Sequence, residues 1–161
     1  MNAYMKDSMK KGFSFGLTSG VITTLGMIVG LHSGTHSRNV VLGGIFLIAI
    51  ADALSDALGM HISEESEYKH TTKEIWTSTI STFIAKLVVA LTFAIPVLFF
   101  GLSTAIIISI IWGLSLITIF SYHMAKMQKI KAWHAIAEHL ITAIVVIIIT
   151  HYIGDWVGSW I

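Results

Sequence analysis

The chain has no cysteine, a single proline and few charges, with 12% of its 161 residues Asp, Glu, Lys or Arg. The missing cysteines exclude disulfides, thiolate metal sites and thiol redox chemistry. One proline, Pro96, leaves long stretches without an obligatory helix break. A net charge of +1 with no basic block offers nothing to nucleic acid. There is no Walker motif, nucleophile triad or dinucleotide fingerprint, so neither an enzyme nor a permanently bound cofactor is expected. What the chain does have is hydrocarbon. Hydrophobic residues make up 55% of it, and the mean hydropathy is +0.79, outside the range of soluble globular domains.

The apolar residues come in five runs near or above the ~20 residues that cross a bilayer. They cover 12–31, 39–62, 76–99, 102–125 and 132–158, joined by short links. The polar first eleven residues precede a span-length segment with no cleavage site, which reads as an uncleaved first span rather than a signal peptide. Lysines choose the orientation. Lys6, Lys10 and Lys11, then Lys69 and Lys73, then Lys126, Lys129 and Lys131 mark one side, and only Arg38 marks the other. The positive-inside rule places the N-terminus in the cytosol and the C-terminus outside. The expectation is an all-α, multi-pass membrane protein forming one five-helix domain over 1–161, in the cell inner or plasma membrane if its source is prokaryotic. Trp133, Trp156 and Trp160 suit interfacial belts, and Pro96 predicts a kink near the outer end of the third span.

Gly12, Gly16 and Gly20, then Gly26 and Gly30, recur at four-residue spacing on the first span. Such small-residue faces let helix backbones approach closely. This predicts a packing seam, with a homodimer formed through the glycine face.

Asp52 and Asp56 sit one turn apart in the apolar second span. A carboxylate at mid-membrane costs roughly 2.5–3.5 kcal/mol on insertion scales, so two on one face need a counterpart. Ranking residues by depth at ~1.5 Å per residue groups the buried polar side chains. Asp56, Ser19, Glu138 and His139 share one layer, and Asp52 and Lys86 share the next. Lys86 can neutralise one carboxylate but not two, and Glu138 adds a third. The excess negative charge favours a hard divalent cation or protons; purely structural ion pairing is the alternative. At the cytosolic mouth, His61, Glu64 and Glu65 share a helical face, a set suited to Fe²⁺, Mn²⁺ or Zn²⁺. A solvated acidic helix end is the competing reading. His134 and Glu138 repeat the spacing on the fifth span, without the paired Glu-x-x-His motifs of di-iron bundles. His32, His36 and His151 lie toward the outer side.

Two segments carry a resemblance. Gly16-Leu17-Thr18-Ser19-Gly20-Val21-Ile22-Thr23-Thr24-Leu25-Gly26 resembles the first-span signature of the vacuolar iron transporter family, approximately G-L-N-D-G-L-V-T-T-L-G. Ala51-Asp52-Ala53-Leu54-Ser55-Asp56-Ala57-Leu58-Gly59 is similar to its second-span A-G-A-L-S-M-A-A-G, and Thr150 through Gly158 looks like the close of its fifth span. The resemblance implies a homodimer whose first two spans line a path at the subunit interface. It also implies export of Fe²⁺ and Mn²⁺ from the cytosol by proton exchange. This chain departs from the pattern. Ser19 stands for the family's aspartate, Asp52 for its glycine, Asp56 for its methionine and Met60 for its glutamate. The family's cytosolic metal-binding insert is missing, since Ser63–Ile75 is too short to hold it, and in its place stand His61, Glu64, Glu65, Glu67 and His70.

The expected function is divalent metal transport out of the cytosol. Asp52 and Asp56 are the central ligands, Ser19 their neighbour and Glu138 a proton or metal group, while His61, Glu64 and Glu65 capture the ion. The alternatives are a membrane scaffold or partner-binding subunit of the same fold, and a metallo-oxidase.

Overall fold

The computed structural model describes residues 3–160, which are helical with no strand among them. The elements are α1 (Ala3–Thr35), α2 (Arg38–Leu47), a π-helical turn (Ile48–Asp52), α3 (Ala53–Ser66), α4 (Thr72–Thr92), α5 (Ala94–Phe99), α6 (Leu102–Gln128) and α7 (Ala132–Gly158). Five continuous runs, Tyr4–Thr35, Arg38–Ser66, Thr72–Phe99, Leu102–Gln128 and Ala132–Gly158, are long and apolar enough to cross a membrane. They bear out five helices of membrane-crossing length, the first four somewhat longer than hydropathy alone marks and the fifth with the expected bounds. α1 gains the most, because its polar start is rich in Lys and Met, good helix formers, and has no glycine before Gly12.

The breaks have local causes. Pro96 has no N–H to donate, and the helix breaks at Phe93 between α4 and α5, as a kink there requires. Thr71 and Glu74 start α4 as a capping box: the Thr71 N–H donates to Glu74 Oε2 at 2.9 Å, and the Glu74 N–H to Thr71 Oγ1 at 3.4 Å. Tyr68 takes φ 51° just after α3, a left-handed residue that turns the chain sharply. The π-helical turn has no counterpart among the sequence expectations. The Ala53 N–H reaches back to Ile48 O across it. The extra residue in that turn advances the faces of the helix just before the two aspartates.

The packing divides into two compact units. One comprises residues up to Gly20 with Phe46–Thr92, and the other Val21–Ile45 with Phe93–Ile161. In the first unit, the N-terminal part of α1 runs parallel to α4. Gly12 lies against the Ser78 backbone, Gly16 against Thr82 and Gly20 against Lys86, two four-residue ladders in register. Hydroxyls of α4 bind α1 carbonyls across this seam, with Ser81 Oγ donating to Met9 O at 2.8 Å and Thr82 Oγ1 to Gly12 O at 3.1 Å. In the second unit, Gly26, Gly30 and Gly34 lie against Val146, Thr150 and Gly154 of α7, and Gly113 of α6 receives Leu25. The small-residue stripe therefore does make close seams. They lie within the chain, however: the glycine face expected to meet a second subunit is filled by α4 and α7, whose own small and hydroxyl residues match its spacing.

Candidate ion site

The first unit brings Ser19, Asp52, Asp56 and Lys86 together. Lys86 has no exposed side-chain surface, yet its Nζ meets three oxygens. It lies 2.5 Å from Asp56 Oδ2, 2.5 Å from Asp52 Oδ2 and 3.0 Å from Ser19 Oγ. Ser19 Oγ in turn donates to Asp56 Oδ2 at 2.6 Å. The ammonium thus faces two carboxylates and a hydroxyl, the number of donors it carries. Asp52 is the less satisfied partner. Its buried Oδ2 accepts no hydrogen bond and meets Lys86 as an ion pair only. The aspartates are not sealed in: Asp52 and Asp56 keep 33% and 20% of their side-chain surface exposed.

Local structure explains the assembly. Gly20 lets α1 approach so closely that an added Cβ would lie 3.2 Å from Lys86 Cγ, which sets Ser19 beside the ammonium. Asp52 closes the π-helical turn and Asp56 follows one α-turn later, so both reach the same cation.

A second cluster stands at the far end of α3. Glu64 is 1% exposed and forms an ion pair with Lys11 of α1, and Lys11 Nζ also lies 3.2 Å from Glu67 Oε1. His70 Nε2 is 3.3 Å from Glu67 Oε2 and 3.6 Å from Glu64 Oε2. Among the described residues, Glu64, Glu67 and His70 form a group whose ligand atoms lie within 4.8 Å of one another. Lys11, and then His70, hold the Glu67 carboxyl below its ordinary range.

Of the expected trio of His61, Glu64 and Glu65, this group contains Glu64 alone. His61 Nδ1 bonds Thr79 Oγ1 at 3.1 Å and its ring packs edge-on to Trp76, with centroids 4.8 Å apart. Because the Thr79 hydroxyl donates to Ile75 O, it is left to accept from His61 Nδ1. Glu65 is exposed, on a different face of α3 from Glu64. All three lie within α3, which ends at Ser66, but Glu64 turns into the interior, Glu65 outward and His61 to Thr79. The turn at Tyr68 then folds His70 back instead. Glu67 and His70 stand in the short link where the family has its insert, but spacing does not show that they meet Glu64, because that meeting depends on the turn. The adjacent capping box was the available signal for where the next helix starts.

Glu138 belongs to the second unit, exposed on α7, and it is His139 that turns inward there, its Nδ1 2.7 Å from Ser121 Oγ. Also in that unit, Ser33 Oγ bonds His151 Nδ1, and His151 Nε2 lies 3.5 Å from Asp155 Oδ2. His32 and His36 stack edge to face at 5.3 Å. No family model matches the chain, and no curated protein matches it. The class defined so far is an all-helical protein with five helices able to cross a membrane, built around a buried lysine between two aspartates.

Proposed function

We propose that the protein moves a divalent cation, Fe²⁺ or Mn²⁺, out of the cytosol in exchange for protons, with Asp52 and Asp56 as the central site. The observation that carries this reading is the charge balance: one buried lysine faces two carboxylates, one of which keeps an oxygen without a hydrogen bond. The residual negative charge is what a cation or a proton would neutralise. Partial exposure of both aspartates provides access. At bilayer depth such a surface needs water or protein over it rather than lipid. A second copy seated on the open face of the π-helical turn and α3 would supply it, where Ala51, Ser55 and Gly59 are exposed at four-residue spacing. The resemblance to the vacuolar iron transporter family points to the same pairing and the same cargo.

Asp52, Asp56, Met60 and Glu64 follow one another every fourth residue, a stripe about 18 Å long. The cation enters at Glu64, Glu67 and His70, taking the place of the Lys11 ammonium, and passes Met60 to the aspartates. There it competes with Lys86, and the displaced charge leaves as protons or as a shifted ammonium. Oxygen-rich ligands with one imidazole suit Mn²⁺ and Fe²⁺ better than soft ions.

The test is Mn²⁺ influx into proteoliposomes carrying a trapped fluorescent indicator. Wild-type protein is expected to pass the ion and Asp52→Asn/Asp56→Asn to lose at least tenfold of the rate. Equal rates in the two would sink the proposal. The scaffold reading draws on one observation of its own, the complete burial of Lys86 against both aspartates. It predicts no flux above empty vesicles at any pH.

A further inference from the structure

We propose that the first unit binds one anionic phospholipid, its acyl chain in the groove between α1 and α4 and its phosphate on Lys6 and Lys73. The groove has a volume of about 530 Å³ and is walled by Met9 and Phe13 on one side and Ile80, Ile84 and Val88 on the other. Its two hydroxyl-bearing residues are spent on backbone. Ser81 donates to Met9 O, and Thr77 to Lys73 O at 2.7 Å. What remains toward the opening is hydrocarbon.

Both walls end in a lysine at the same end. On α1, Lys6, Met9 and Phe13 recur at steps of three and four, and on α4, Lys73, Thr77, Ile80, Ile84 and Val88 do the same. Each stripe therefore runs from a cation into the apolar wall. Lys6 and Lys73 are exposed and form no ion pair among the described residues, whereas Lys11 is committed to Glu64 and Glu67. On the orientation expected from the lysines, this end faces the cytoplasmic leaflet, where anionic lipids draw basic residues.

Length selects the occupant. From Thr77 to Val88 the wall rises about 16 Å, one half of a hydrocarbon core about 30 Å thick. A transmembrane helix of a second copy would run the full depth and outlast the groove, while an acyl chain ends where the groove ends. This site is independent of the transport reading and concerns different side chains.

The experiment compares phosphatidylglycerol with phosphatidylcholine of identical acyl chains, added to the full-length protein in detergent. Thermal midpoint and native mass spectrometry are the readouts. Phosphatidylglycerol is expected to raise the midpoint at lower concentration and to persist as a one-to-one adduct. In Lys6→Gln/Lys73→Gln the concentration needed rises about thirtyfold, from the loss of two phosphate contacts. Ile84→Trp, which fills the groove, abolishes the adduct without changing the oligomeric mass. Equal action of the two lipids on wild-type protein overturns the proposal, as does an unchanged preference in the double lysine variant. A change of oligomeric mass in Ile84→Trp assigns the groove to a second copy, and likewise overturns it.

Discussion

Lys86 holds the central site in balance, and the cost of losing it follows from what it faces. Lys86→Met leaves two carboxylates beside each other in a partly buried layer, where the cost should approach but not exceed about 3–5 kcal/mol, that of breaking a fully buried pair. Most of that is the uncompensated charge. A Lys86→Met/Asp52→Asn/Asp56→Asn protein, with no charge left to pair, should therefore recover much of the lost thermal midpoint. A triple variant no more stable than Lys86→Met alone would refute this account. Ser19 both accepts from Lys86 and donates to Asp56, so Ser19→Ala should cost about 1–2 kcal/mol, measured as the shift in denaturation midpoint. Glu67 sets a pH dependence. Its carboxyl is held low by Lys11 and His70, so its contribution is present above the ordinary carboxylate pKa of 4.5 and lost as pH falls through the lower folded value. The thermal midpoint should drop on that acid limb, and Glu67→Gln should flatten it. These residues were unequally legible. Depth counting put Ser19, Asp52, Asp56 and Lys86 in adjacent layers, because a helix converts sequence distance into depth at a fixed rise. It also ranked Glu138 and His139 with them, and these belong to the second unit. Glu67 and His70 escaped the count because they meet across a turn.

The elements succeed or fail by their glycines. Gly12 and Gly16 face backbone atoms of α4, where even a methyl group has no room, while Gly59 has nothing near it. Gly16→Ala should therefore destabilise by about 1–3 kcal/mol through overpacking. Gly59→Ala meets nothing within its own subunit, so in detergent-separated subunits it should be neutral or slightly stabilising, since it removes backbone freedom without a clash. Thermal midpoints of the two purified variants decide it, and equal values would contradict the seam. Four-residue spacing announced that α1 has a close-packing face but not its partner. Ser78, Thr82 and Lys86 carry the matching ladder, and nothing in the spacing of α1 distinguishes them from a second subunit. The π-helical turn was equally invisible, since an extra residue in one turn leaves no mark on hydropathy.

At the scale of the whole molecule, the open question is what covers the exposed face of α3 beside the aspartates. The proposed second copy predicts that Ser55→Cys, the sole cysteine in a chain that has none, cross-links between subunits in membranes under mild oxidation. The exposed Ser115→Cys on α6 should not. Cross-linking that is equal at both positions would count against a specific face. By itself the sequence determined the helical class, the number of membrane-length helices and how far along its helix each polar group lies. Hydropathy, helical rise and the scarcity of breakers are properties of the chain read in order. The tertiary structure alone decided which groups at a given depth touch. It put one lysine on both aspartates, moved the acidic cluster from His61 and Glu65 to Glu67 and His70, and closed the glycine face within the chain. Those outcomes rest on helix rotation, turn geometry and close backbone approach, which a linear order of residues does not specify.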